Sequence, residues 1–408
     1  MPIPQTRTRW AEEQSEELLA IPFISEFVFR SPQVWDKTQK EVADLLIFHR
    51  GKGLLVSQKA QEDPESRDDH KNELWVLKYA KAAVSQLVGA LRSGHKNIWC
   101  AHPRRGRVDF PDGLPPIAHG VVIVETFRPV DLQAAVTDLP LDSDGVPIAY
   151  MSINDFLNVA SQLRTVPELL AYLDARRELP DSALRRVGDE LVLFDYYLLR
   201  RTLRLPGGHQ EARQTLESCV SEVDDLRVRM TEHRYYSSLL EHVANELATR
   251  SPTCLEGLSP ELTAMFDPAP ARQSYLRMQE ILTDLTLRER AELGRQFDTV
   301  VRNLDGRTQG YTQATAQLDS KPEWIFVFAS SKGWDRSGML RCMGPMMGAA
   351  LAQYQKQHCM IVTDRDGAGY EVAVTRPDVV FVPSATDILN GKKLFGNLRT
   401  SSVVAEGF

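Results

Sequence analysis

Apolar positions change period along this chain, and the changes outline its elements. Between 73 and 92, Leu74, Leu77, Val84, Leu87, Val88 and Leu91 recur at three- and four-residue spacing, which predicts a helix. Ahead of it, 44–50 and 54–60 are short runs, apolar at Leu45–Phe48 and Leu54–Val56, that meet at Gly51-Lys52-Gly53, which predicts a hairpin. Its strands are apolar on both faces: Leu45, Ile47, Leu54 and Val56 on one, Leu46, Phe48 and Leu55 on the other. Such strands lie centrally in a covered sheet.

The remaining N-terminal pattern predicts a helix over 10–21, a strand over 23–30 ended by Ser31-Pro32, a polar loop over 61–70, and strands at 97–101 and 119–127 separated by a Pro/Gly/Arg loop over 103–116. The order is α-β-β-β-α-β-β. Asp142-Ser143-Asp144-Gly145 reads as a turn near a boundary. Helical spacing dominates from about 150 to 300, in 155–163, 166–177, 193–203, 211–248 and 272–303. Residues 305–321 are polar and rich in Gly, Gln and Thr, as in a linker. Beyond it come a buried strand (324–330), a Met/Ala-rich helix (336–357) and strands at 359–363, 370–375 and 379–382. The expected class is mixed α/β (α+β): an α/β domain over 1–148, a mainly helical region over 149–304, a linker over 305–321 and a C-terminal α/β domain over 322–408.

Composition adds limits. The chain has 408 residues, 43% hydrophobic and 25% charged, enough for two or three cored domains. Its five cysteines are widely spaced, with no zinc or disulfide pattern, and neither a leader nor a membrane span is expected, so the expected setting is cytoplasmic. Net charge is −7, yet Lys71 to Arg107 holds eight Lys/Arg and one acid, Glu73. A basic stripe on an acidic chain predicts one anionic partner face. On a helical wheel Lys71, Lys78, Lys81 and Arg92 group beside the apolar arc, where long stems also cover a core edge. Arg104, Arg105 and Arg107, with His102, read as phosphate contacts or as a solvated loop.

The hairpin carries the chemistry. Its register decides whether Asp44 and Lys59 meet. A two-residue turn at Lys52-Gly53 puts Asp44, Leu46 and Phe48 on one face with Leu55, Ser57 and Lys59; a three-residue loop puts the acid and the lysine on opposite faces. Gly53 favours the tight turn. No Walker A, dinucleotide glycine pattern or Gly-x-Ser-x-Gly elbow occurs. In the C-terminal part, the joint from Ser330 to Arg336 reads as an N-cap by Asp335 or Ser337 rather than an anion site, and Asp364 to Gly369 reads as a hairpin turn.

Glu41-Val-Ala-Asp44-Leu-Leu, a short turn and Leu-Val-Ser-Gln-Lys59-Ala, followed by a helix with Gln86 and basic residues, resemble the restriction-endonuclease-like, PD-(D/E)XK nuclease superfamily over about residues 10–127. The resemblance implies Mg²⁺- or Mn²⁺-dependent phosphodiester hydrolysis, DNA favoured, with Asp44 binding metal, Lys59 assisting the attacking water, and an acid of the first helix, Glu13 or Glu17, completing the site. It also suggests, by analogy, defence against foreign DNA. The chain departs from the pattern at Ser57, where the family holds an acid or sometimes Gln. Glu41 or Gln58 would then fill in, or the fold persists as an inactive module binding nucleic acid or protein. A third expectation is an assembly protein whose helices over 211–303 bind another copy or another protein.

Overall fold

The computed structural model describes residues 18, 21–34, 41–61, 68–93, 96–126, 130–179, 189–205, 209–249, 268–365, 369–396 and 401–403. It is mixed α and β, as the periodicities imply, and divides into two compact units, 1–226 and 227–408, with the division inside one long helix (His209–Thr249).

Unit 1 is built on an eight-stranded sheet of order β5-β4-β1-β2-β3-β6-β8-β7. A short helical turn α1 (Pro22–Ser25) leads into β1 (Val28–Val34), then β2 (Leu45–His49) and β3 (Lys52–Ala60). These three strands are an antiparallel meander. Helix α2 (Asp69–Ser93) crosses over, the hairpin β4 (Ile98–His102) and β5 (Gly106–Phe110) extends the sheet on the β1 side, and β6 (Ile117–Glu125) returns parallel to β3. After the turn α3 (Leu132–Ala135) come β7 (Asp142–Ser143) and β8 (Val146–Met151), the latter parallel to β6.

Helix α2 covers one face of this sheet. Trp75, Val76, Ala80, Ala83, Val84, Leu87 and Ala90 pack there with Leu46, Leu55, Val122, Val124 and Tyr150. The opposite face meets α5 (Val166–Arg177), reached through α4 (Ile153–Leu163). Buried His119, paired in register with Leu54, donates from Nε2 to Asp174 of α5 at 2.9 Å. Helix α6 (Glu190–Arg200) is tied to α5 by a buried fork in which Arg176 Nε donates to Glu190 at 2.9 and 3.1 Å. The long helix is α7.

Unit 2 holds α8 (Pro268–Thr283), α9 (Leu287–Arg302), α10 (Arg336–Tyr354) and α11 (Ala385–Phe395) around a five-stranded sheet of order β12-β11-β10-β9-β13. Its strands are β9 (Gly310–Leu318), β10 (Trp324–Lys332), β11 (His358–Asp364), β12 (Tyr370–Val374) and β13 (Ser401–Val403). Strands β10 and β11 are parallel, linked by α10. Asp335 caps α10, its Oδ1 accepting the Gly338 N–H at 2.6 Å, as expected for an N-cap.

Several expectations are corrected. The first strand runs through Ser31-Pro32, because a register shift between Arg30 and Gln33 against β4 leaves the proline, which has no N–H, outside the ladder. The loop over 103–116 contains β5, where exposed Arg107 and Asp109 alternate with half-buried Val108 and Phe110. The helical pattern over 272–303 is two helices, since Thr286 opens α9 with a capping box closed by Glu289. The polar segment read as a linker carries β9, paired with β10 from Gly310 to Ala316. Val379 to Val382 form no strand: Val380 and Val382 are among the most exposed apolar residues described.

Candidate functional site

The hairpin turn is Arg50-Gly51, not Lys52-Gly53. Both residues are left-handed, φ +45° and +80°, and His49 pairs with Lys52. That is the two-residue turn whose twist suits antiparallel strands. Gly53 serves another purpose, since a Cβ there would stand 2.6 Å from the Ile117 side chain of β6. The turn slips without changing parity. Leu45 pairs with Val56 and Leu46 with Leu55, so Asp44 comes opposite Ser57, on the same face as Lys59.

Asp44 is held from both sides: its N–H donates to the Val56 carbonyl at 3.0 Å and its carbonyl accepts from the Ser31 N–H at 2.9 Å. Its carboxylate Oδ2 accepts the Gln58 backbone N–H at 2.7 Å and stands 3.8 Å from Lys59 Nζ. The two side chains are 31% and 26% exposed, open enough to meet a substrate and shielded enough to keep their orientation.

Helix α2 supplies the third member. Its start is pinned by Gln61 Nε2, which donates to Asn72 Oδ1 at 3.1 Å, and Leu87 packs above Gly120 of β6, where a Cβ would come within 3.3 Å of it. Gln86, beside Leu87 at the margin of the apolar arc, then faces the sheet. Its Oε1 accepts from Lys59 Nζ at 3.1 Å and from Ser57 Oγ at 3.0 Å. Ser57 is fully buried. The site is therefore one carboxylate, one ammonium, one amide and one hydroxyl on a single sheet face. The sequence order drew attention to Gln86 but did not place it in the site; a polar residue bordering a helix's apolar arc was the available signal.

The other expected site residues fall elsewhere. Glu41 is exposed, bridges Gln33 and joins none of the hydrogen bonds around Asp44. Gln58 contributes its backbone amide; its side chain lies on the face opposite Lys59, because neighbours on a strand alternate. Glu13 and Glu17 lie outside the described residues. Among the described residues no group of three or more His, Cys, Asp or Glu is placed to hold a metal ion. A small divalent cation that keeps most of its water needs fewer protein oxygens than that; the oxygens this face offers are the Asp44 carboxylate and the Gln86 amide oxygen, the latter accepting from Ser57 and Lys59.

Lys78 and Lys81 are exposed on α2, with Lys78 Nζ 5.4 Å from the Tyr79 ring centroid. Arg104 and Arg105 do not join them. They sit at the far end of the strands, where β1 begins, and turn inward to buried Glu26. Arg104 Nη1 donates to Glu26 Oε1 at 2.9 Å, Arg105 Nε is 3.8 Å from Oε2, and Arg105 Nη2 donates to the Glu26 carbonyl. Asp44 lies five residues along β2 from His49, which shares that far end, so about 16 Å of strand separates the two groups. Arg107 stacks 5.0 Å over the Trp99 ring and pairs with Asp109 at 2.8 Å.

His102 locks this loop. Its Nδ1 accepts the Arg104 and Arg105 N–H groups at 3.2 and 3.1 Å, and Nε2 donates to the Glu26 carbonyl at 3.2 Å. This pattern requires a neutral imidazole. Burial, helped by the Arg105 charge, pushes its pKa down to about 4.

No protein-family model matches the chain, and neither a curated protein nor a solved structure matches it. Among the described residues no helix is long and apolar enough to cross a membrane.

Proposed function

We propose that unit 1 is a divalent-cation-dependent nuclease of the restriction-endonuclease-like kind, cutting nucleic acid phosphodiesters, DNA by preference. The observation that carries this reading is the pairing of Asp44 and Lys59, from neighbouring antiparallel strands, on one face at 3.8 Å under the helix that bears Gln86. The order of meander, crossover helix and parallel return strand supports the same reading. Bound Mg²⁺ or Mn²⁺ would polarise the phosphate and lower the pKa of a coordinated water. Asp44 holds negative charge where a cation is needed. Lys59 places a proton donor and a positive charge beside it, suited to orienting water and offsetting charge on the phosphate. Exposed Lys78 and Lys81 hold the backbone of the substrate along α2. The test is cleavage of plasmid and linear DNA with Mg²⁺ or Mn²⁺ by the full chain, its Lys59→Ala variant and its Asp44→Asn variant. Equal activity in all three would remove the reading.

One observation favours a second reading. Ser57 and Gln86 occupy each other, which leaves Asp44 as the one carboxylate in the described site. A module of this fold that binds nucleic acid without cutting it would show salt-dependent binding and no cation-dependent cleavage. A role in defence against foreign DNA follows only by analogy from the nuclease reading.

A further inference from the structure

The geometry points to Gln86 as the second protein oxygen for a divalent cation, taking the part Ser57 cannot play. This rests on the cation-dependent reading above. The Ser57 hydroxyl spends its proton on Gln86 Oε1 at 3.0 Å. Lys59 donates to the same oxygen at 3.1 Å. A single amide oxygen thus takes two donors on the face that carries Asp44, and Lys59 reaches both Gln86 and Asp44, at 3.1 and 3.8 Å. Both lone pairs of that oxygen are taken, one by a hydroxyl and one by an ammonium, so a hard cation enters by replacing the ammonium. Carbonyl oxygens of Asn and Gln are ordinary ligands for such ions. The anchoring is rigid: Gln86 lies on a helix whose adjacent Leu87 is packed against β6.

The arrangement has two consequences. A donor set of one carboxylate and one neutral amide holds a divalent ion weakly, since affinity follows the charge of the ligands. Lys59 also competes with the ion for both oxygens. Binding of the ion requires Lys59 to leave Gln86 Oε1, which frees the ammonium to face a phosphate. Gln86 would therefore couple occupancy of the site to the position of the lysine.

The test is Mn²⁺ binding to the full chain by isothermal titration calorimetry and by electron paramagnetic resonance of free Mn²⁺, without substrate. Gln86→Glu, nearly the same shape, is expected to tighten binding at least about tenfold by adding a charge to the donor set. Gln86→Leu is expected to weaken it by a similar factor and Lys59→Met to tighten it. Circular dichroism melts establish that each variant is folded; Gln86→Glu carries the test if Gln86→Leu is not. Wild-type affinity in Gln86→Leu, or no tightening in Gln86→Glu, overturns the inference, and so does Mn²⁺ binding absent from both wild type and Gln86→Glu. Failure of the nuclease reading looks different. Mn²⁺ binding that follows Gln86 without DNA cleavage leaves the inference standing and the catalytic reading fallen; Lys59-dependent cleavage with Mn²⁺ binding indifferent to Gln86 does the reverse.

Discussion

Lys59 Nζ lies 3.8 Å from the Asp44 carboxylate, and that distance exists only because the β2–β3 register is odd in the right sense. A slip of one residue would send the two groups to opposite faces of the sheet. Loss of either group should therefore act on chemistry before stability. Asp44→Asn and Lys59→Ala are each expected to lower the cleavage rate about 10²-fold or more, the scale on which a positioned proton-transfer group contributes, while DNA affinity changes little. Single-turnover cleavage beside a filter-binding titration checks both halves.

The basic residues divide by location. Lys78→Ala with Lys81→Ala should remove two backbone phosphate contacts, lowering the slope of log affinity against log salt by up to about 1.8 on duplex DNA. Arg104→Ala should leave that slope alone. It takes a partner from Glu26, which is 1% exposed, and should destabilise the protein by about 2 kcal/mol, less than a fully buried pair because Arg104 reaches solvent. Urea melts and a salt series on the same variants separate the two effects.

His102 ties stability to pH. Its folded pKa, near 4, lies below the ordinary value of 6.5, so the unfolded chain binds more protons between those values. Stability contributed by neutral His102 is complete above pH 6.5 and is lost as pH falls from 6.5 towards 4, a swing on the order of 3 kcal/mol. His119, whose pKa burial also lowers against the pull of Asp174, acts in the same sense. The difference between wild type and His102→Gln, measured by urea melts at pH 4.5, 5.5 and 7, isolates the His102 share: the wild-type slope should be the steeper.

Gly51 holds the turn at φ +80° with open space around its α-carbon. Gly51→Ala should cost about 1 kcal/mol through backbone strain alone, without a clash. A fall in the denaturation midpoint with an unchanged m-value would check it.

Much of the fold was legible locally. The three- and four-residue spacing of Leu74 to Leu91 and the apolar runs around Gly51 announced α2 and the central hairpin, because burial on a helix or a covered strand forces those periods. The hairpin parity follows from the sequence although the turn lies at Arg50-Gly51 rather than Lys52-Gly53, since the two positions differ by an even slip. Strand β5 was less legible: its five residues carry Arg107 and Asp109 on the outward face, and only pairing with β4 makes them a strand. Strand β9 was hidden in the same way, its composition polar and its order supplied by β10.

What the sequence determined by itself is which faces exist: period and parity are properties of consecutive residues, so Asp44 and Lys59 could be assigned to one face before any contact was known. What only tertiary structure decided is who stands across from whom. Gln86 reaches Ser57 and Lys59 because α2 settles against β3 and β6, and Arg104 and Arg105 turn to Glu26 because β4 brings them to it. Both outcomes depend on contacts between residues distant in the chain, whose energies come from burial and charge pairing and leave no periodic trace in the local order of amino acids.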